Sequence, residues 1–463
     1  MKRTLLLLCL MGCASTESAV PTLRAGASKV KITPEHPGWM TGYGNRNHVA
    51  DGTKTDLWVR ALVLDSGAKR LVLVTADILG FPTDLSRAIR KEAVSRFGIE
   101  AADLMLVASH THGGPAIPQR PSMEIFHGLD EKTGKDVFEY ADWLQERVLE
   151  SISKAMVARK AAFATLTHAE AHFGMNRRFK NPNGSYSIKD NPEGLVDPDV
   201  TIVRVSDDDR NPLATVYTYA CHGTTLGGET YLYHGDWIGY ASDEIEKATG
   251  GAPALFATGC GADLNPSPRG PKFELAEQHG RTMAAAVAGA PAGKPLSGPF
   301  TSVLSTIELP LSPPPARELL LKNSQEEVPA GKVPYRQRHG REMLKLMDAG
   351  KLPTAVPLPV QVWRLGDQKV VAYGGETCVE YALRTKKELG VEKTWVIGYA
   401  NEVPCYIPSE KVLSESGYEP GWEPATKSAI ATGSMMFYGW PVPFAPGIED
   451  RIIAEMRRLT GTK

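Results

Sequence analysis

The stretch LMLVASHTHGGP (104–115) constrains this chain more than any other. Five consecutive apolar residues, Leu104 to Ala108, run into two histidines and then a Gly-Gly-Pro break. A short apolar run closed by glycine and proline predicts a buried strand ending in a tight loop. Strand ends are where α/β proteins place chemistry, because a rigid scaffold aims side chains into a crevice. In an extended segment His110 and His112 project to the same side, so both imidazoles are expected to face one site. A hydrogen-bonded structural pair remains the alternative at this point.

Apolar alternation predicts strands at 29–33, 57–65, 70–77, 165–172, 200–205, 213–221, 254–258, 359–364, 369–373 and 395–399, the last of the chain. The pair 57–65 and 70–77 reads as a hairpin across SGAK (66–69). Helices are predicted at 84–97, 138–161, 239–249, 273–288 and 448–459. In the first of these Leu85, Ile89, Ala93 and Phe97 share one face, and Gly98 stops the helix. Strands and helices interleave, while some neighbouring strands read as antiparallel. The expected fold class is therefore α/β, with mixed β-sheets packed with helices in a single large domain over 25–463. Segment 310–359 opens with three prolines and carries much charge, and it is expected to be a helical excursion with two solvated helices.

The chain has 463 residues, 42% hydrophobic and 23% charged, with a formal net charge of −1. That balance is ordinary for a globular protein, and no basic run interleaved with aromatics invites nucleic acid. Lys2 and Arg3 precede an apolar stretch at 4–11 that is too short to span a bilayer. It ends in LMGC (10–13), which resembles a bacterial lipobox. The expectation is a lipoprotein-type signal peptide at 1–12, a lipid anchor at Cys13, a tether at 13–24 and a place in the cell envelope, periplasmic or outer-membrane. An ordinary secretory signal cleaved near Ala19 is the alternative. Cys221, Cys260, Cys378 and Cys405 remain; export permits disulfides, so a bracing disulfide and buried free thiols both stay open.

Several elements end alike, in a polar residue beside glycine. They are His110 and His112, His222 before Gly223, and Glu376 after Gly374 and Gly375; Tyr406 lies in NEVPCYIP (401–408). Each has an ordinary structural reading when taken alone.

Together with GASKVKITP (26–34), MTGYG (40–44), RALV (60–63), TAD (75–77), MNR (175–177), ACH (220–222), DWIGYAS (236–242), GADLNP (261–266) and GYANEVPCY (398–406), they form an ordered series. In that order the chain resembles the N-terminal catalytic domain of the neutral/alkaline non-lysosomal ceramidases, over about 25–420. The resemblance implies one Zn²⁺ held by His110, His222, Glu376 and Tyr406. Imidazoles and a carboxylate are sound zinc ligands, and a catalytic site keeps a position for water. A tyrosine is unusual and binds best as phenolate. The resemblance also places His112 beside the metal as a proton or oxyanion handler, and gives Arg177 and Tyr418 contacts to substrate and transition state. Asp236 and Asp263 are expected to orient ligands or backbone. His168, His172, His234 and His279 are expected to be structural or exposed.

The implied activity is zinc-dependent cleavage of an amide (N-acyl) bond, in a lipid or other N-acyl substrate, by metal-activated water. Cleavage of an ester or lactone, or a non-catalytic envelope binding protein on the same fold, are the alternatives. Departures concern the substrate rather than the metal. The HTH loop continues as AIPQR (116–120) where the family has a longer glycine-rich stretch, and His222 is followed by GTT where proline and serine are common. The pocket mouth is expected near 116–128. The family's C-terminal immunoglobulin-like domain is not expected here.

Overall fold

The computed structural model describes residues 23–462 except Ala68, Glu131, Thr133 and Ser428. The expected signal peptide, the Cys13 anchor and the tether as far as residue 22 lie outside the described residues. No helix among the described residues is long and apolar enough to cross a membrane.

Two sheets carry the fold. The first comprises β1 (Arg24–Lys31), β2 (Trp58–Asp65), β3 (Arg70–Ala76), β4 (Leu104–Ala108), β5 (Lys160–Glu170), β6 (Asp199–Asp207), β7 (Pro212–Tyr219) and β8 (Ala254–Thr258), with the two-residue strand Lys294–Pro295 beside β5. Its order is β8-β7-β6-β5-β1-β2-β3-β4. The second holds β9 (Phe300–Pro310), β10 (Ala355–Leu365), β11 (Gln368–Tyr373) and β12 (Thr394–Ile397), in that order. The helices are α1 (Thr83–Phe97), α2 (Lys135–Val157), α3 (Asp236–Ala248), α4 (Phe273–Gly289), α5 (Arg317–Ser324), α6 (Tyr335–Asp348), α7 (Val379–Leu389) and α8 (Ile448–Thr460), besides a few of five or six residues.

Side-chain alternation builds four layers from these elements. In β2, Leu62 and Leu64 pack toward Trp363, Val370 and Ile397 of the second sheet, while Val59, Ala61 and Val63 pack toward Ile89 of α1 and Val148 of α2. On β11, Val370 and Ala372 face the first sheet, and Val371 and Tyr373 face Tyr381 of α7 and Ile452 of α8. Strands covered on both faces need apolar residues at every position, which is why 104–108 reads as an unbroken run. The fold class is the expected one: mixed sheets, packed with helices.

Three pairs of neighbouring long strands are parallel: β3 with β4, β7 with β8, and β11 with β12. Each pair is joined through a helix, α1, α3 and α7 respectively. Parallel strands need such crossovers, and the crevice beyond their carboxyl ends is the usual place for a site. The first sheet curls until its two edges approach: Thr258 Oγ1 at the end of β8 donates to Ala108 O at the end of β4, at 2.7 Å. The segment after β12 zips between them, with Gly398 N donating to Thr258 O at 2.9 Å and Asn401 N to Leu106 O at 2.6 Å.

Three local expectations change, and the choice left open for the cysteines closes. Helix α2 stops at Val157, not at 161, because Arg24 pairs with Ala161 across β1 and β5 and pulls the chain into a strand. Strand β12 ends at Ile397, and a two-residue strand, Tyr406–Ile407, follows it. The four cysteines are buried free thiols. The excursion does carry two helices, α5 and α6, although Leu320, His339 and Met343 are buried rather than solvated.

Candidate metal centre

The loops beyond β4, β7 and β11 deliver His110, His222 and Glu376 to one point. His110 leaves β4 with a left-handed φ of 58°, a conformation uncommon for a residue with a Cβ. This corrects the expected extended path: the turn, not strand alternation, brings the two imidazoles together. Their Nε2 atoms lie 3.2 Å apart. Gly42 makes room for the second ring, since a Cβ there would stand 2.6 Å from His112. Gly375, at φ 74°, lets Glu376 turn inward where a Cβ would meet Cys405 O at 2.9 Å. The strand Glu376–Thr377 then pairs in parallel with Tyr406–Ile407, setting Glu376 beside Tyr406.

The outward ring nitrogens define the tautomers. His110 Nδ1 bonds Leu79 O at 2.6 Å, and His222 Nδ1 bonds Gly261 O at 2.7 Å. A carbonyl only accepts, so both Nδ1 atoms carry the proton and both Nε2 atoms present lone pairs inward. Those lone pairs point at Glu376 Oε2, 3.1 Å from His110 Nε2 and 3.3 Å from His222 Nε2. Oε2 is buried and receives no hydrogen bond. Tyr406 Oη completes the group, 3.2 Å from His222 Nε2.

Electrostatics keep the donors in this state. Burial, reinforced by Arg177, pushes His222 down to about 3. Burial and the neighbouring His110 and His222 hold His112 well below the usual imidazole range. Burial pushes the Tyr406 phenol up despite Arg177. Converging lone pairs on buried, hydrogen-poor atoms suit a cation, and an imidazole–carboxylate–phenol set suits Zn²⁺.

Arg177 stands behind this group. Its Nη2 donates to Tyr406 Oη at 3.0 Å, its Nη1 to Asn265 Oδ1 at 3.2 Å, and its Nε to Glu419 Oε1 at 2.9 Å. Nη1 also lies 3.2 Å from His222 Nε2. Tyr418 packs edge-on to Tyr406, ring centres 5.4 Å apart. All seven candidates thus surround one point. His110, His112, Glu376, Tyr406 and Tyr418 line a cleft open to solvent, with Ile117, Met123 and Phe126 on its wall; Arg177 and His222 sit behind it. The lining residues from 117 to 127 fall inside the expected mouth.

Asp236 and Asp263 hold backbone rather than imidazoles. Asp236 accepts from Thr225 N and Leu226 N at 3.0 and 3.1 Å, fixing the loop after His222. Asp263 accepts from Val379 N at the start of α7 at 2.9 Å, and burial with nearby Glu380 pushes it up to about 7. His168 pairs with Asp199, the buried rings of His234 and His279 meet Asp236 N and Pro268 O respectively, and His172 is exposed. Sequence reasoning missed Glu419, the carboxylate partner of Arg177, and Tyr438, whose hydroxyl donates to Glu376 Oε1 at 2.5 Å. Glu419 follows Tyr418 directly, which was a usable signal; Tyr438 in MMFYGW had none.

Fold and site define a four-layer α/β sandwich with a buried histidine–carboxylate centre suited to one cation. The sequence model described as "Neutral/alkaline non-lysosomal ceramidase, N-terminal" matches residues 24–293, and the chain belongs to that family. Neutral ceramidase B of Dictyostelium discoideum is 27% identical over 247 residues, 50% of this chain and 34% of that protein. Neutral ceramidase of Mycobacterium tuberculosis is 24% identical over 252 residues, 50% of this chain and 38% of the relative. The matched part therefore spans little more than a third of these relatives. The crystal structure of neutral ceramidase from Pseudomonas aeruginosa shares the fold with a TM-score of 0.69 at 20% identity, covering 90% of this chain and 72% of that one. A ceramidase complexed with C2 gives 0.69 at 19% identity, covering 95% and 76%.

Proposed function

We propose that this chain is a zinc-dependent hydrolase that cleaves the amide bond of a lipid or other N-acyl substrate. The observation that carries the reading is the buried, unpartnered Glu376 Oε2 facing the lone pairs of His110 and His222. His110, His222, Glu376 and Tyr406 would hold the ion. When bound, zinc would polarise the acyl carbonyl and activate a water. The family membership and the relatives named as ceramidases support an amide as the bond.

The chain's own groups supply the rest. His112 borders the cleft and is neutral, so it can take a proton from the attacking water and hand it to the departing nitrogen. Tyr418 also borders the cleft, where its hydroxyl can donate to a developing oxyanion. Arg177 does not reach the cleft; it holds the Tyr406 oxygen instead and favours its ionised form. Apolar side chains of Leu79, Met123, Phe126 and Phe437 give an acyl chain a dry wall. The LMGC motif at 10–13 supports attachment to the envelope through acyl chains on Cys13, and Cys13→Ser is expected to move the protein out of the membrane fraction.

The deciding experiment measures zinc content and turnover of N-acyl amides. Protein starting at Ser15 is expected to carry about one zinc per chain, and His110→Ala and His222→Ala to lose it together with turnover. Full zinc retention by both variants would remove the assignment. Turnover of esters with none of amides would move the reading to another acyl bond.

A further inference from the structure

We propose that Tyr438 is a positioning residue for the metal centre, and that its hydroxyl sets the Glu376 carboxylate with Oε2 toward the histidines. The inference rests on the zinc reading above and adds a residue outside the ligand set. The two oxygens of Glu376 have different surroundings. Oε1 accepts from Tyr438 Oη at 2.5 Å, while Oε2 accepts nothing and lies within 3.3 Å of both Nε2 atoms. Among the described residues no other hydroxyl or amide donates to this carboxylate. A carboxylate held at one oxygen cannot rotate freely about its terminal bond, so the free oxygen stays aimed at the cation position.

Tyr438 is itself held from two sides. It follows the short helix Gly433–Phe437, and its backbone N donates to Ser434 O at 2.9 Å. Two residues on, Trp440 Nε1 donates to Pro404 O at 2.9 Å, beside the Tyr406 strand. The carbonyl of the same Trp440 accepts from His339 Nε2 of α6 at 2.8 Å. Phe437 packs edge-on against Tyr335, also of α6, with ring centres 4.9 Å apart. The charged excursion is thereby tied to the metal centre, since α6 braces the 437–440 turn, the turn holds Tyr438, and Tyr438 aims Glu376.

Partners that orient metal-bound side chains are typically worth about 10- to 100-fold in metal affinity. The test is a chelator-competition titration of zinc on the full chain, for wild type, Tyr438→Phe and Trp440→Phe. Tyr438→Phe keeps the ring and is expected to weaken zinc by about 10- to 100-fold, with an unchanged circular dichroism spectrum. Trp440→Phe, which loosens the turn without touching Glu376, is expected to weaken zinc by less. A purely structural Tyr438 would lower the melting temperature and leave zinc affinity where it was, and that result overturns the inference. If Tyr438→Phe does not fold, Trp440→Phe decides, and wild-type affinity in that variant overturns the inference too. A wild-type chain that takes up no zinc overturns both readings; tight zinc in wild type with equal affinity in Tyr438→Phe overturns this one alone.

Discussion

At Lys386 on α7, a buried ammonium meets Asp197 at 2.7 Å and Asp199 at 2.9 Å, and Asp199 also bonds His168 Nδ1 at 2.8 Å. At Glu376, just before the same helix begins, a buried carboxylate meets two imidazole lone pairs and a phenol. In the first cluster every carboxylate oxygen receives a donor. Burial alone would lower the Lys386 pKa, yet Asp197 and Asp199 outweigh it and raise it, and Asp199 is brought down to about 2 against its own burial, chiefly by His168 and Lys386. The second cluster lacks a positive partner of its own at Oε2. Polar burial is costly unless donors and acceptors match, so the mismatch at Glu376 marks a place for a cation, and the match at Lys386 marks structure.

This contrast can be broken by experiment. The largest effect belongs to Glu376→Gln, which keeps the shape and removes the charge. It is expected to abolish tight zinc binding and reduce turnover to background, read by metal analysis and an N-acyl amide assay. Next comes Tyr418→Phe, expected to lower kcat by about 100- to 1000-fold while zinc content stays at the wild-type level. Unchanged kcat would remove Tyr418 from the chemistry.

Lys386→Met should do the reverse. It leaves two buried carboxylates uncompensated and is expected to cost about 3–5 kcal/mol in denaturant unfolding, with zinc affinity unaltered. A loss of zinc in the folded variant would join the two clusters. The smallest effect is a pH dependence at His339, where α6 braces the 437–440 turn. Burial lowers His339 from 6.5 to about 4. A depressed folded-state pKa gives stability that is full above pH 6.5 and lost as pH falls toward 4, because the unfolded chain takes the proton first. At pH 5.5 the loss from this group is about 1.4 kcal/mol, and His339→Gln is expected to flatten that part of the profile.

Much of the scaffold was legible because it obeys simple periodicities. Strand β4 runs over Leu104–Ala108 as expected, α1 follows the face of Leu85, Ile89 and Ala93, and the β2–β3 hairpin turns where SGAK placed it. Strand β9 was not legible: it lies at the edge of the second sheet, mostly half-buried or exposed, so its sequence mixes polar and apolar residues without a strong period. The seven candidates were found by their ordered motifs and not by local pattern. The convergence of His110 and His112 was anticipated for a reason that fails, since His110 sits in a left-handed turn. Tyr438 was out of reach because its role exists only once the 437–440 turn packs against Glu376, 62 residues earlier in the chain.

The origin of the four proposed ligands has a consequence for how the protein matures. His110 and His222 follow strands of the first sheet, while Glu376 and Tyr406 follow β11 and β12 of the second. The family match at 24–293 therefore encloses only half of the coordination set. A nascent chain that has emerged only as far as β8 offers two of the four proposed ligands, both imidazoles. On the proposed ligand set, tight zinc binding would wait until the second sheet has closed over the first, and the ion would then bridge the two sheets.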